Sequence, residues 1–101
     1  MGDYTHITRY ENILNSGNVR LEQLNSALDN LEKELEDYKA LESYYFSPQR
    51  DLDLNDENAG LIPTEISRAV LGEDYIDEFI CDKRDTALRL IELGLKILKN
   101  E

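Results

Sequence analysis

The sequence predicts an all-α protein, an antiparallel helical bundle of two long helices and one short helix joined by an acidic inter-helix loop. Three observations predict this fold. Apolar residues recur at helical spacing over most of the chain. Helix breakers are few, with five Gly and two Pro. Charged residues make up 33% of the chain, which suits a narrow core and a wide solvated face. The 101 residues correspond to one domain.

The first long helix is predicted over about residues 4–45, where an apolar stripe runs at spacings of three and four. The stripe positions are Ile7, Tyr10, Leu14, Gly17, Leu21, Leu24, Leu28, Leu31, Leu35, Tyr38, Leu41 and Tyr45. A heptad repeat of this kind is typical of coiled-coil packing. The turn-like cluster at residues 15–18 leaves two interpretations open, one long helix or a break near Gly17 that lets residues 3–16 fold back. The repeat keeps its phase through Gly17, which favours one long helix.

The segment between the long helices is predicted to be a loop over residues 47–63. Pro48 ends the first helix, and the aromatic residues 44–46 before it either plug the end of the bundle or form a contact patch for a partner. The acidic alternation from Asp51 to Glu57 is similar to the start of a calcium-binding loop. The Gly and Glu that such a loop needs at its sixth and twelfth positions are absent. We therefore predict no metal or cofactor, with a weak cation site as the alternative.

Two further helices are predicted, a short one over residues 64–71, between Pro63 and Gly72, and a long one over residues 74–99. The last helix begins with acidic residues and carries an apolar stripe interrupted once, at Lys83. Segments 21–45 and 76–98 are expected to pair face to face. The part of the stripe before Gly17 then extends beyond the paired segments, and a second chain would cover its residues. This candidate dimer seam consists of Ile7, Tyr10 and Leu14.

The charge of the chain limits its partners. The chain has 22 acidic and 11 basic residues, a net charge of −11. Residues 51–85 carry a net −8 and residues 86–101 a net +1. Such a surface repels phosphate backbones and anionic membranes, so we expect no nucleic-acid or membrane partner, and a basic protein as the favoured one. Cys81 is the only cysteine, and no signal segment or membrane-length apolar run is present, so a cytoplasmic location is predicted.

The central segment YYFSPQRDLDLNDENAGLIPTEISRAVLGEDYIDEFI resembles a bacterial family of small acidic proteins known only as a domain of unknown function. The positions that carry the resemblance are Tyr44, Tyr45, Ser47, Asp53, Gly60, Ile62, Pro63, Val70, Leu71, Glu73 and Asp74. The chain departs from the pattern at Arg50, where relatives often have Trp, and this departure puts an aromatic role at that position in doubt. The resemblance implies a complete small bacterial protein and supplies no activity, cofactor or catalytic residue.

The sequence points to a function in protein contacts and contains no constellation typical of catalysis. We expect a non-catalytic cytoplasmic helical protein that acts as a homodimer, through contacts with a basic protein, or both. The alternatives are a small enzyme or cation-binding protein that uses carboxylates of residues 51–77, and an acidic nucleic-acid mimic. The candidate interaction surface, where the resemblance and the unusual composition coincide, consists of Tyr44, Tyr45, Asp51, Asp53, Glu73 and Asp74.

Overall fold

The computed structural model of the protein describes residues 2–72 and 74–100. In chain order, its elements are α1 (Thr5–Lys33), α2 (Leu35–Tyr45), α3 (Pro48–Asn58), a 3₁₀ turn (Ala69–Leu71) and α4 (Tyr75–Lys99). These ranges contain no β-strand, which confirms the all-α prediction. The chain divides into two compact units, Met1–Tyr38 and Lys39–Glu101.

Helix α1 is continuous through Gly17, so the break considered near this residue is not present. A Cβ atom at Gly17 would meet nothing within 4 Å. The helix begins beside Asp3, whose carboxylate accepts hydrogen bonds from the backbone N–H of Thr5, at 2.9 Å, and from the Thr5 hydroxyl. These hydrogen bonds, the one from the hydroxyl above all, hold the pKa of Asp3 below its ordinary value. One glycine costs a helix only about 1 kcal/mol relative to alanine, which α1 tolerates over 29 residues.

The break in the predicted helix 4–45 lies instead at Glu34, and the prediction of one helix through this point is wrong. The Glu34 N–H donates to the carbonyl of Leu31 at 3.2 Å, three residues back, which tightens the turn. The hydroxyl of Tyr38 donates to the Glu34 carboxylate, and this hydrogen bond raises the pKa of Tyr38. The three-four alternation of the apolar stripe also fails between Tyr38 and Leu41, close to the break.

The first unit contains α1 and the first residues of α2, and therefore little more than a single helical segment. A lone helix cannot bury its own apolar stripe. The candidate seam residues Ile7, Tyr10 and Leu14 are accordingly exposed. The stripe of α1 has no partner element within its own unit.

Residues 47–63 were predicted to form a loop. In the second unit, helix α3 occupies most of this segment, so the prediction is corrected. Ser47 occupies the N-cap in an extended conformation, its hydroxyl accepts from the Arg50 N–H at 3.3 Å, and Pro48 follows at the first helical position. This order of residues is a strong helix start. Pro48 therefore begins α3 as well as ending α2.

Helix α3 ends in a left-handed cap at Gly60, whose φ is +71°. The Gly60 N–H donates to the carbonyl of Glu57 at 3.1 Å, and the Leu61 N–H donates to that of Asp56 at 3.0 Å. This pair of bonds satisfies the last carbonyl groups of α3 and requires the left-handed conformation that glycine adopts without steric cost.

The short helix predicted over residues 64–71 is also corrected, because only the 3₁₀ turn at its end forms. The carbonyl of Pro63 accepts a hydrogen bond from the Ile66 N–H at 3.1 Å and another from the Arg68 guanidinium at 3.2 Å. Residues 64–65 form a turn and Ile66 a bend. A segment of this length is marginal as a helix, and its Thr, Ile, Ser and Val residues have modest helix propensity.

Helix α4 occupies Tyr75–Lys99, against the predicted 74–99. Asp74 holds the N-cap position, but its side chain makes no capping hydrogen bond. Ile76 is 2% exposed and is the one buried residue of the described ranges. Lys83, which interrupts the apolar stripe, forms an ion pair with Glu42 of α2. Both α3 and α4 contact the 3₁₀ turn.

Two alanine substitutions test the opposite roles of Gly17 and Gly60. Gly17→Ala is expected to stabilise α1 by about 1 kcal/mol, because the added methyl group meets no atom and the unfolded chain loses freedom. Gly60→Ala is expected to destabilise the protein by about 1 kcal/mol, because alanine is strained at a positive φ. Thermal unfolding followed by far-ultraviolet circular dichroism measures both. Equal effects of the two substitutions would contradict this assignment.

Candidate functional site

Two of the candidate surface residues, Tyr44 and Asp53, meet at the corner between α2 and α3. The Tyr44 hydroxyl donates to Oδ2 of Asp53 at 2.6 Å. The side-chain amide of Gln49, one helical turn before Asp53 in α3, donates to the other carboxylate oxygen at 2.9 Å. Both oxygens of Asp53 thus accept hydrogen bonds from neighbouring side chains.

Ser47 joins the two helices at this corner. Its hydroxyl donates to the carbonyl of Tyr44 at 2.7 Å, and its N–H donates to the same carbonyl at 3.0 Å. The same hydroxyl oxygen accepts from the Arg50 N–H at the start of α3. One side chain therefore satisfies a carbonyl at the end of α2 and an N–H at the start of α3.

Tyr45 lies against two neighbours on the other side of the corner. The guanidinium of Arg50 lies 4.7 Å from the centre of the Tyr45 ring, within the range of a cation–π interaction. The Phe46 ring packs edge-on against Tyr45, with ring centres 4.9 Å apart and planes at 77°. Phe46 itself is 78% exposed. The planar guanidinium of Arg50 thus faces an aromatic ring.

The pKa values of Tyr44 and Asp53 move away from neutral pH. Burial raises the pKa of Tyr44 to about 12, and the hydrogen bond to Asp53 acts in the same direction. The hydrogen bond from Tyr44, followed by that from Gln49, holds the pKa of Asp53 below its ordinary value. General acid–base catalysis at neutral pH needs pKa values shifted toward 7. The pKa shifts of Tyr44 and Asp53 are those of a hydrogen bond that stabilises the fold.

A cleft of about 250 Å³ lies beside the corner, and a neighbouring cleft measures about 440 Å³. The first is lined by Tyr44, Asp53, Ile62, Ile66, Ser67, Arg68, Val70 and Leu71. Its charged groups are already engaged, because Arg68 Nε lies 2.8 Å from Glu57 Oε2 and Asp53 accepts from Tyr44 and Gln49. Of the two ionised side chains that line the first cleft, Arg68 is paired with Glu57, and Asp53 accepts hydrogen bonds from two uncharged side chains.

The other candidate surface residues lie apart from this hydrogen-bonded pair. Asp51 is exposed in the first turn of α3, and Asp74 is exposed at the N-terminus of α4. Among the residues that the structure describes, no hydrogen bond or ion pair joins either of them to Tyr44 or Asp53. Glu73 lies outside the described residues. The structure thus brings together only part of the set selected from the sequence.

Three side-chain contacts in this region were not predicted from the sequence. Gln49 binds Asp53, Glu57 pairs with Arg68, and Glu42 pairs with Lys83. The first contact had a sequence signal, since Gln49 and Asp53 are four residues apart and face each other on a helix. The other two join distant segments and had none.

Two broader features of the described residues bear on function. Within residues 2–72 and 74–100, no three His, Cys, Asp or Glu side chains lie close enough together to hold a metal ion. Over the same ranges, no helix combines the length and the apolar content that crossing a membrane requires.

Replacing Tyr44 by phenylalanine tests the corner hydrogen bond. The pKa of Tyr44 is higher in the folded protein than its ordinary value of 10.0, so its contribution is present below pH 10 and is lost as the pH rises toward about 12. Tyr44→Phe is expected to cost about 1.5 kcal/mol at pH 7 and to flatten the loss of stability between pH 10 and 12. Urea unfolding over this pH range measures both effects.

The control for this experiment is Tyr45→Phe, which removes a hydroxyl from the adjacent residue and keeps the ring beneath Arg50. This variant should retain the alkaline loss of stability. A Tyr44→Phe protein as stable as the wild type at pH 7 would show that the hydrogen bond to Asp53 contributes nothing.

Comparison with known proteins supplies one finding about the family. Searches of curated proteins and of solved structures gave no significant match. The model of one family, described as a domain of unknown function (DUF4298), matches residues 7–93. This match includes the α2–α3 corner, the 3₁₀ turn and most of α1 and α4. The chain belongs to the DUF4298 family.

Proposed function

We propose that this protein is a non-catalytic helical interaction protein that acts by self-association, with the apolar stripe of α1 as its main contact surface. One observation carries the proposal. Ile7, Tyr10 and Leu14 are between 55 and 57% exposed, on a helix that has no partner element within its own unit. An exposed apolar stripe with a heptad spacing is the surface that coiled-coil partners cover.

The energy available from this stripe supports a stable contact. Full burial of one large apolar side chain contributes about 1.5–3 kcal/mol. Ile7, Leu14, Leu21 and Leu24 are between 38 and 57% exposed, so covering what remains of them in both copies of a dimer contributes about 6–12 kcal/mol, which is comparable with the estimated cost of association.

The distribution of charge also favours α1 as the contact. Helix α1 contains four acidic and three basic residues, a net charge of −1, whereas the whole chain carries −11. Residues 34–85 contain 15 acidic and five basic residues, a net charge of −10. A contact that uses α1 involves a segment with little net charge and leaves the acidic segments in solvent.

The full proposal is a homodimeric antiparallel bundle with coiled-coil packing between long helices, in the cytoplasm of a bacterium. The apolar stripes of α1 and α4, which have the same spacing, support coiled-coil packing. The single cysteine supports a reducing compartment such as the cytoplasm. The resemblance to a bacterial family supports the bacterial origin. The net charge of −10 over residues 34–85 supports a second, basic protein as a further partner. An enzyme that uses Asp53 has less support, because both carboxylate oxygens of Asp53 already accept hydrogen bonds from Tyr44 and Gln49.

Leu14→Asp tests the proposal in solution. The wild type is expected to have twice the chain mass of 11.7 kDa by light scattering, and Leu14→Asp is expected to be a monomer, because a charge in an apolar seam is costly. The matched control is Val19→Asp, which places the same charge on the opposite side of α1 at a residue that is 53% exposed. A monomeric wild type, or a Val19→Asp chain that dissociates like Leu14→Asp, would sink the proposal.

A further inference from the structure

The second half of α4 is apolar over most of its circumference. At about 100° per residue, the four charged residues of segment 86–99 fall within roughly a quarter of the helix surface. These residues are Arg89, Glu92, Lys96 and Lys99. An ordinary surface helix has an apolar stripe of only about 100°. This half of α4 therefore has more apolar surface than one packing partner covers.

One side of α4 already packs within its own unit. Ile76 is buried on this side, and Lys83 reaches Glu42 from the same side. Leu90 and Gly94, which continue this side along the helix, are half-buried. This inward side thus has partners over at least the first half of α4.

A second apolar face begins about 90° around the helix from the inward side. We call it the outer α4 face, and it consists of Leu88, Ile91, Leu95 and Leu98, each more than half exposed. The spacing of three, four and three residues matches the repeat of α1. In the first half of α4 the corresponding positions are Asp77, Cys81 and Arg84, so the face is confined to the second half.

The charge of this segment differs from that of the rest of the chain. Residues 86–99 contain three basic residues and one acidic residue, a net charge of +2, so the remainder of the chain carries −13. A second copy of the chain is therefore a partner of opposite charge for this segment. Its α1 has a net charge of −1, with Glu11 and Glu32 directly after the stripe residues Tyr10 and Leu31.

We infer that the outer α4 face is covered by α1 of a second copy of this chain. This inference rests on the proposed self-association and specifies its pairing. Both surfaces are apolar at heptad spacing, and α1 has no partner element in its own unit. If α4 paired with α4, two segments with a net charge of +2 each (residues 86–99) would face each other. If α1 paired with α1, two helices with a net charge of −1 each would face each other. Two reciprocal contacts between α1 and α4, related by a two-fold axis, form a closed dimer.

The first arm of the test compares two leucines of α4 in the full chain. Leu95→Asp, on the outer α4 face, is expected to weaken the dimer by about 100-fold, measured by light scattering over a dilution series. Leu93→Asp is the matched control, because Leu93 lies about 160° away around the helix and is 44% exposed against 53% for Leu95. Circular dichroism confirms that both variants keep the wild-type helix content.

The second arm identifies what lies against the face. Lys99→Gln is expected to weaken the dimer by about two- to fivefold at low salt, and Glu92→Gln is expected to tighten it by a similar factor, because the opposing α1 carries a net negative charge. Both effects should disappear in 1 M salt, where the Debye length is about 3 Å. If the outer α4 face instead meets α4 of the second copy, Lys99→Gln should tighten the dimer and Glu92→Gln should weaken it, because that segment is basic.

The outcomes separate this inference from the proposed function. A wild-type dimer that Leu14→Asp dissociates and Leu95→Asp leaves intact keeps the self-association and overturns the pairing of α1 with α4. Equal effects of Leu95→Asp and Leu93→Asp, or reversed or absent effects of Lys99→Gln and Glu92→Gln, also overturn this pairing. A monomeric wild type overturns both proposals.

Discussion

The apolar stripe of α1 is the constraint on which the interpretation of this protein depends. A helix of 29 residues gains its stability in proteins mainly by packing an amphipathic face against another element. The first unit contains no second element that packs against α1. The free energy of burying the residues from Ile7 to Leu24 is therefore available for association with another surface. The proposed dimer follows from this available free energy, and the outer α4 face offers a second surface of matching spacing.

Four residues, Tyr44, Ser47, Asp53 and Gly60, stabilise the α2–α3 corner and the end of α3. Tyr44 and Asp53 form a hydrogen bond between the two helices, Ser47 caps α3, and Gly60 ends α3 in the left-handed conformation. These interactions fix where α2 ends and where α3 runs. The clefts beside the corner are lined by charged groups that already have partners, as the ion pair of Glu57 with Arg68 shows. These residues therefore explain the fold of this segment, and the exposed apolar surfaces proposed for binding lie on α1 and α4.

Much of the helical architecture was predictable, and the failures have identifiable physical causes. The continuity of α1 through Gly17 followed from the unbroken phase of the stripe, which outweighs the small local cost of one glycine. Helix α3 was missed because its acidic composition resembles a loop, although Ser47-Pro48 is a helix start and Gly60 a helix stop. The break at Glu34 depends on one backbone hydrogen bond to Leu31, which composition does not encode. At the site, the Tyr44–Asp53 contact needed the position of α3, which the sequence analysis had not assigned.

The uneven charge of the chain gives the proposed contact its specificity. A chain with a net charge of −11 repels its own copies at long range, and this repulsion suppresses non-specific association through exposed leucines. At an ionic strength of 0.1 M the Debye length is about 10 Å, so only charges close to a contact contribute strongly to it. Near the stripe of α1 and the outer α4 face these charges sum to −1 and +2. In the proposed dimer, the acidic middle of the chain opposes non-specific association, and the opposite net charges of α1 and the second half of α4 favour the orientation that pairs these two segments.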